Sequence, residues 1–133
     1  VSTTDRLEIA GLFARLAYLL DEARYDDLPG IYHADVVAHS PRGGVLRGLD
    51  EVTDFVKASH VEGVRTQHVH GDVLVQVDGD RATATANQLV FFYREGEPPH
   101  RNSGLRVSAN AVRTPEGWRI GETRIALSWM RED

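Results

Sequence analysis

The chain has no cysteine, which excludes disulfides, thiolate metal sites and cysteine nucleophiles together. Lys57 is its only lysine, and with 15 basic against 20 acidic residues the formal net charge is −5. No block of basic residues stands out, so the electrostatic footprint of a nucleic-acid binder is missing. No run approaches the roughly 18 apolar residues that a membrane-spanning helix needs. The opening "VSTTDRLEIA" carries no apolar leader core. Neither a nucleic acid nor a membrane is therefore expected as a partner, and the cytoplasm is the expected compartment. There is also no Gly-x-Ser-x-Gly elbow, no phosphate-cradling glycine loop and no dinucleotide fingerprint. The chemistry left to this inventory is proton transfer without a cofactor.

What is present suits one domain over 1–133. Its 133 residues, 41% hydrophobic and 26% charged, are enough to bury a core of their own. In "TTDRLEIAGLFARLAYLLDEARYDDL" the apolar residues Ile9, Leu12, Phe13, Leu16, Leu19 and Leu20 recur at helical spacing, with Asp5 and Glu8 as a capping pair. A short second helix is predicted over "DDLPGIYH", a strand over "DVVAHSP" and a hairpin arm over "RGGVLRG". A third helix, "EVTDFVKASH", is predicted behind an Asp50 cap. From Thr66 the period changes to two, which predicts four strands: "TQHVHGDVLVQV", "RATATANQLVFFY", "LRVSANAVRT" and "WRIGETRIALSW". The turns between them are "DGD", the longer "REGEPPHRNSG" (94–104) and "PEG". The expected fold class is α+β: a curved antiparallel sheet packed against about three N-terminal helices, forming a cone whose open end is a pocket.

Within "RTQHVHGD" (65–72), His68, His70 and Asp72 fall at every second position and share one face of a regular strand. Two metal ligands plus a carboxylate is one reading, with His100 as a further ligand, although no metal site is the preferred expectation. Strict alternation also sends this trio opposite Val69, Val73, Val75 and Val77. A bulge at Gly71 would change faces and let His68 point inward together with Val73 and Val75. On the first helix Tyr18 and Asp21, three apart, lie at the edge of the buried stripe, where a partly desolvated carboxylate suits proton transfer. Ser108 and Asn110 share a face with Arg106, either toward solvent or lining a cavity as ligand-oxygen contacts. Tyr93 and Phe91 end the preceding strand and are placed to cap that cavity. Trp129 is placed to cover a pocket or a dimer face, and His39 and Ser40 complete the positions expected near substrate. A homodimer is expected through the sheet, with Val73, Val75, Phe92 and Trp129 contributing.

The segments "LLDEARYDDLPGIYHADVV", "RGLDEVTDFV", "QHVHGDVLVQVDGDRATA" and "RTPEGWRI" resemble, in order and spacing, the SnoaL-like branch of the NTF2-like superfamily. That resemblance runs from about Leu16 to Ile120 and implies a cone of helices against a curved sheet. Within the superfamily the motifs are most similar to those of the scytalone dehydratases: "RTQH" at Arg65–His68, "SAN" at Ser108–Asn110, and the first-helix aspartate at Asp21. The resemblance implies Asp21 as the orienter of His68, His68 as acid–base, and Ser108 and Asn110 as ligand contacts. It departs where that family's second catalytic histidine falls near Tyr93 and its tyrosines near Leu20 and Ser40. The ketosteroid isomerases fit less well, since their two acids fall near Ser40 and Ala109. The function implied is a cofactor-free dehydratase, cyclase or isomerase acting on a small hydrophobic, polyketide-like substrate. The alternative is a non-catalytic binding or dimerisation module of the same fold.

Overall fold

The stripe of apolar residues along α1 (Thr3–Asp21) buries Ile9, Leu12, Phe13 and Ala17 against the sheet. These coordinates, a computed structural model, describe residues 2–42 and 44–133; Val1 and Gly43, the latter inside the predicted "RGGVLRG" arm, lie outside the described residues. The helix is capped by Ser2, whose hydroxyl accepts the Asp5 N–H at 3.3 Å. The expected capping pair serves tertiary structure instead. Asp5 accepts two N–H bonds from Arg113 at 3.0 Å each and the Trp118 indole N–H at 3.1 Å. Glu8 accepts the Trp118 backbone N–H at 2.7 Å, and the Arg113 guanidinium stacks 4.6 Å over the Trp118 ring. The start of the helix is thus clasped to the last hairpin, with Trp118 fully buried beneath.

The predicted second helix is a 3-10 turn, Tyr25–Gly30, containing Pro29. Tyr32 already belongs to β1 (Tyr32–Ser40), which pairs antiparallel with β2 (Gly44–Arg47). The second α-helix, α2 (Leu49–Ala58), starts after Gly48 rather than behind an Asp50 cap. The strands β3 (Arg65–Asp78), β4 (Arg81–Tyr93), β5 (Arg101–Thr114) and β6 (Gly117–Glu132) follow as an antiparallel meander. In the six-stranded sheet, ordered β2-β1-β6-β5-β4-β3, β1 joins β6 in parallel, so the sheet is mixed. That pairing is possible because α2 and four strands separate β1 from β6, a connection long enough to bring the chain back in the same direction. β5 begins at Arg101, inside the stretch predicted as a loop, which places Arg101, Asn102 and Ser103 on the sheet.

Small side chains dominate the inward face of the central strands. Ala82, Ala84 and Ala86 on β4, with Ala109 and Ala111 on β5, leave volume that Phe13, Leu12, Trp118 and Ile120 fill. Beyond this packed zone the helices no longer cover the sheet. Leu127 and Met130 stay 46% and 47% exposed, although they stand opposite Leu105 and Ser103 on the inward side. The uncovered end is the mouth of the cone.

The clasp at Asp5 gives a pH prediction. Hydrogen bonds from Arg113, then Trp118, hold its carboxyl below the ordinary 3.8. Because the folded value is depressed, the stabilisation is full above the unfolded value and is lost as pH falls through the folded one. Thermal unfolding should therefore show the wild type losing Tm below about pH 4 more steeply than Asp5→Asn, with the two curves converging at the acid end; parallel curves would contradict this role of Asp5.

Candidate active site

β3 carries its polar residues inward near the mouth and its apolar residues inward over the core, and one irregularity makes both possible. Its pairing with β4 is regular from Arg65 to Gly71, breaks, and resumes at Leu74. Asp72 sits in the break with φ +54°, a left-handed conformation that aspartate tolerates better than most side chains. The extra residue inverts the alternation. Thr66, His68 and His70 point inward before it, and Val73, Val75 and Val77 pack on the core after it. Of the two alternatives the sequence left open, the bulge next to Gly71 is the one present, with Asp72 as its left-handed residue. Asp72 itself faces out, where its carboxylate accepts an N–H of Asn87 at 3.1 Å. The trio is split between two faces and does not form one ligand set.

The inward imidazole of His68 meets the end of α1. Its Nδ1 lies 2.7 Å from Asp21 Oδ1, and the side chains are only 13% and 19% exposed. The same carboxylate accepts the Thr66 hydroxyl at 3.0 Å and the His68 backbone N–H at 2.9 and 3.1 Å. Asp21 is the final residue of α1, at the negative end of the helix dipole, where a carboxylate is disfavoured by the helix alone. Three donors from one strand offset that placement and fix the carboxylate's direction. With Nδ1 donating to Asp21, Nε2 is left as an acceptor, and no described residue bonds to it. Asp21 and Thr66 also line a recess of about 360 Å³ between the end of α1 and the segment before β3, so the carboxylate is reached from outside.

Local backbone geometry aims Asp21. The Ala23 N–H bonds to the Leu20 carbonyl at 3.2 Å and the Arg24 N–H to that of Leu19 at 2.8 Å, the double closure of a Schellman motif. This motif ordinarily uses glycine in the left-handed position, yet Ala23 occupies it at φ +54°.

His70, one step deeper, is a different kind of histidine. Its Nε2 lies 2.8 Å from Gln88 Oε1, its ring meets Phe13 edge-on at 5.7 Å, and its buried Nδ1, near the Phe13 backbone, makes no well-formed hydrogen bond among the described residues. Burial pushes its pKa below the ordinary 6.5, against the opposing bond to Gln88. The site thus holds one imidazole paired to an acid and one kept neutral.

The remaining expected site residues do not join them. Tyr18 is 56% exposed on α1, close enough to Arg24 to bond its guanidinium. Because Val107, Ala109 and Ala111 are core, strict alternation turns Ser108 and Asn110 to the outer face. There Asn110 contacts Glu122 at 3.5 Å and borders a separate depression of about 600 Å³. His39 bonds Glu122 at 2.8 Å on that outer face, and this bond, with Arg124 nearby, holds the carboxyl below its ordinary range. Ser40 ends β1, four strands from His68 in sheet order, where its hydroxyl accepts the Arg42 N–H. Tyr93 stands opposite Arg65 and turns outward. Trp129 lies outward over Gly104, where an added Cβ would collide with the indole. Val73 and Val75, expected at a dimer face, pack on the core instead. Phe92 lies inward beneath the Arg101 guanidinium. Sequence reasoning missed Thr66, which shares the His68 face by period two. It also missed Arg101 and Ser103, which it had left in a loop.

Comparison with known proteins agrees with this architecture. The SnoaL-like domain family matches residues 1–124. An uncharacterised protein of Mycobacterium tuberculosis is 31% identical over 123 residues, covering 88% of this chain and 81% of the relative. Among solved structures, a candidate scytalone dehydratase from Novosphingobium aromaticivorans superposes with a TM-score of 0.84 at 13% identity, covering 98% of this chain and 88% of that one. A hexachlorocyclohexane dehydrochlorinase superposes with a TM-score of 0.83 at 14% identity, covering 99% and 93%. At these identities the two structures speak for the shared fold alone.

The left-handed alanine gives a stability prediction. A non-glycine residue in that region costs roughly 1–2 kcal/mol, so Ala23→Gly should raise unfolding stability by about 1 kcal/mol after the entropy cost of glycine is deducted. Chemical denaturation checks this; an unchanged or lowered midpoint would mean that Ala23 carries no such cost.

Proposed function

The chain belongs to the SnoaL-like domain family, and from that premise we propose that it is a cofactor-free acid–base enzyme acting on a small hydrophobic molecule with carbonyl or hydroxyl groups. The observation that carries this reading is the 2.7 Å contact between His68 Nδ1 and Asp21 Oδ1 at the mouth of the cone. An imidazole and an acid brought together from separate elements is what a binding or dimerisation module has no need of.

In this mechanism Asp21 accepts a hydrogen bond from the Nδ1–H, fixes the tautomer and stabilises the imidazolium that forms when Nε2 takes a proton. The Nε2 lone pair of His68 removes a proton from carbon next to a carbonyl. In a dehydration the C–H electron pair forms the new double bond and the C–O bond breaks. The imidazolium then returns its proton to the departing hydroxide, which leaves as water. In an isomerisation the same proton is returned to a different carbon, and in a cyclisation the carbanion attacks a second carbonyl. All three use one base that becomes an acid. His70 stays neutral because burial disfavours its charged form, so a second positive charge does not oppose the imidazolium. The dehydratase and dehydrochlorinase folds named above fit an elimination, which makes dehydration the leading member of the class.

The test needs no knowledge of the natural substrate. In D2O, the wild-type chain should accelerate exchange of the α-protons of 2-tetralone, followed by proton NMR. His68→Ala should lose roughly 10²–10⁴-fold of that acceleration with an unchanged circular dichroism spectrum. Asp21→Asn should lose most of it through the wrong tautomer. Exchange by His68→Ala at the wild-type rate would remove the basis of the proposal.

A further inference from the structure

The inward face holds, opposite His68, a hydroxyl and the fork of a guanidinium to which no described residue hydrogen-bonds. Cross-strand pairing sets them out. His68 stands opposite Val90, Val90 opposite Ser103, and Ser103 opposite Met130. One row closer to the mouth, Thr66 stands opposite Phe92, Phe92 opposite Arg101, and Arg101 opposite Glu132. Directly opposed residues share a face, so Ser103 and Arg101 project into the same concavity as His68.

Ser103 is 7% exposed, and its hydroxyl has no hydrogen-bond partner among the described residues. That hydroxyl is not sealed from solvent, so a molecule in the concavity can supply the partner the protein does not. Arg101 lies with its guanidinium 4.8 Å over the Phe92 ring. Its Nε is 3.2 Å from Met130 Sδ, which draws the side chain from its own row toward that of Ser103. Its nearest carboxylate, Glu132, is 4.0 Å from Nε and largely exposed, beyond hydrogen-bond length. The two terminal nitrogens, the fork that pairs with a carboxylate, bond to no described residue. Leu105, Leu127 and Met130 provide an apolar floor beside them, the latter two about half exposed.

We propose that Arg101 and Ser103 form a carboxylate-binding subsite, so that the substrate of this pocket is a hydrophobic, ring-bearing acid. Deepening the acid–base reading, the subsite holds the carboxylate while His68 works at the far end of the same molecule. Two strand spacings separate Ser103 from His68, about 10 Å, which is the span of a fused bicyclic acid. The stacked, planar guanidinium binds the carboxylate in bidentate fashion, and the Ser103 hydroxyl donates a further bond. The apolar floor takes the rings. A neutral ester offers one carbonyl acceptor and no charge in place of two carboxylate oxygens, so charge discriminates substrates here.

Calorimetry with 2-naphthoate and its methyl ester at neutral pH tests the assignment without turnover. The wild-type chain should bind the acid at least about tenfold more tightly than the ester, a charge-assisted bidentate pair being worth that much. Arg101→Gln should abolish the preference, Ser103→Ala should reduce it, and Arg106→Gln, on the outer face of β5, should keep it. His68→Ala should also keep it, so a failure of the acid–base reading leaves this result standing and the two can be told apart. Equal binding of acid and ester by the wild type, no binding of naphthoate, or loss of the preference in Arg106→Gln would overturn the proposal. If Arg101→Gln does not fold, Arg101→Lys takes its place: a weakened preference supports the bidentate contact, and an unchanged one overturns it.

Discussion

One inserted residue decides which way an imidazole faces. A strand alternates its side chains strictly, so β3 could not otherwise present His68 and His70 to the concavity and Val73, Val75 and Val77 to the core. The break between Gly71 and Leu74, with Asp72 held in the left-handed region, changes the phase between these two sets. Every contact of the candidate site lies on the mouth side of that break. The β3 valines packed on the hydrophobic cluster lie beyond it, and on the mouth side His70 touches that cluster through Phe13. The bulge thus lets a single strand serve stability along half its length and chemistry along the other half.

The second constraint comes from the helix. α1 is fixed at its start by the Asp5 clasp to Arg113 and Trp118 and along its length by Ile9, Leu12 and Phe13. Its last residue therefore arrives at β3 in a defined position. Asp21 there accepts hydrogen bonds from Thr66 and from both the backbone and ring of His68. The placement conflicts with the helix dipole, and the Schellman closure puts an alanine where glycine is preferred. Local preference is overridden at two neighbouring positions beside the one acid that meets the imidazole. Such departures concentrate where geometry serves something other than stability.

Much of the architecture is legible in the sequence because it rests on periodicity. The apolar stripe of α1 and the four alternating strands recur in the structure, and β4 matches its predicted bounds. Less legible were features set by distant partners. Asp5 and Glu8 have the spacing of a capping pair, but the β5–β6 hairpin recruits both. The parallel pairing of β1 with β6 leaves no local signal. The site was half readable. His68 and Asp21 could be named from residue type and motif, whereas the face of His68 depended on a bulge that period-two logic permits but does not require. Ser108 and Asn110 matched a motif, yet the core alanines between them turn both outward. Arg101 and Ser103 were hidden by Gly96, Pro98 and Pro99, which mark a loop whose end the sequence places a few residues too late.

The central claim is that Asp21 holds His68 as the Nδ1–H tautomer with Nε2 free toward the concavity. Long-range nitrogen–proton correlation spectra of the imidazole rings at neutral pH report this directly. The account predicts a protonated-type Nδ1 and an unprotonated Nε2 for His68, with the pattern lost in Asp21→Asn. A His68 ring found as the Nε2–H tautomer, or one unaffected by Asp21→Asn, would contradict it.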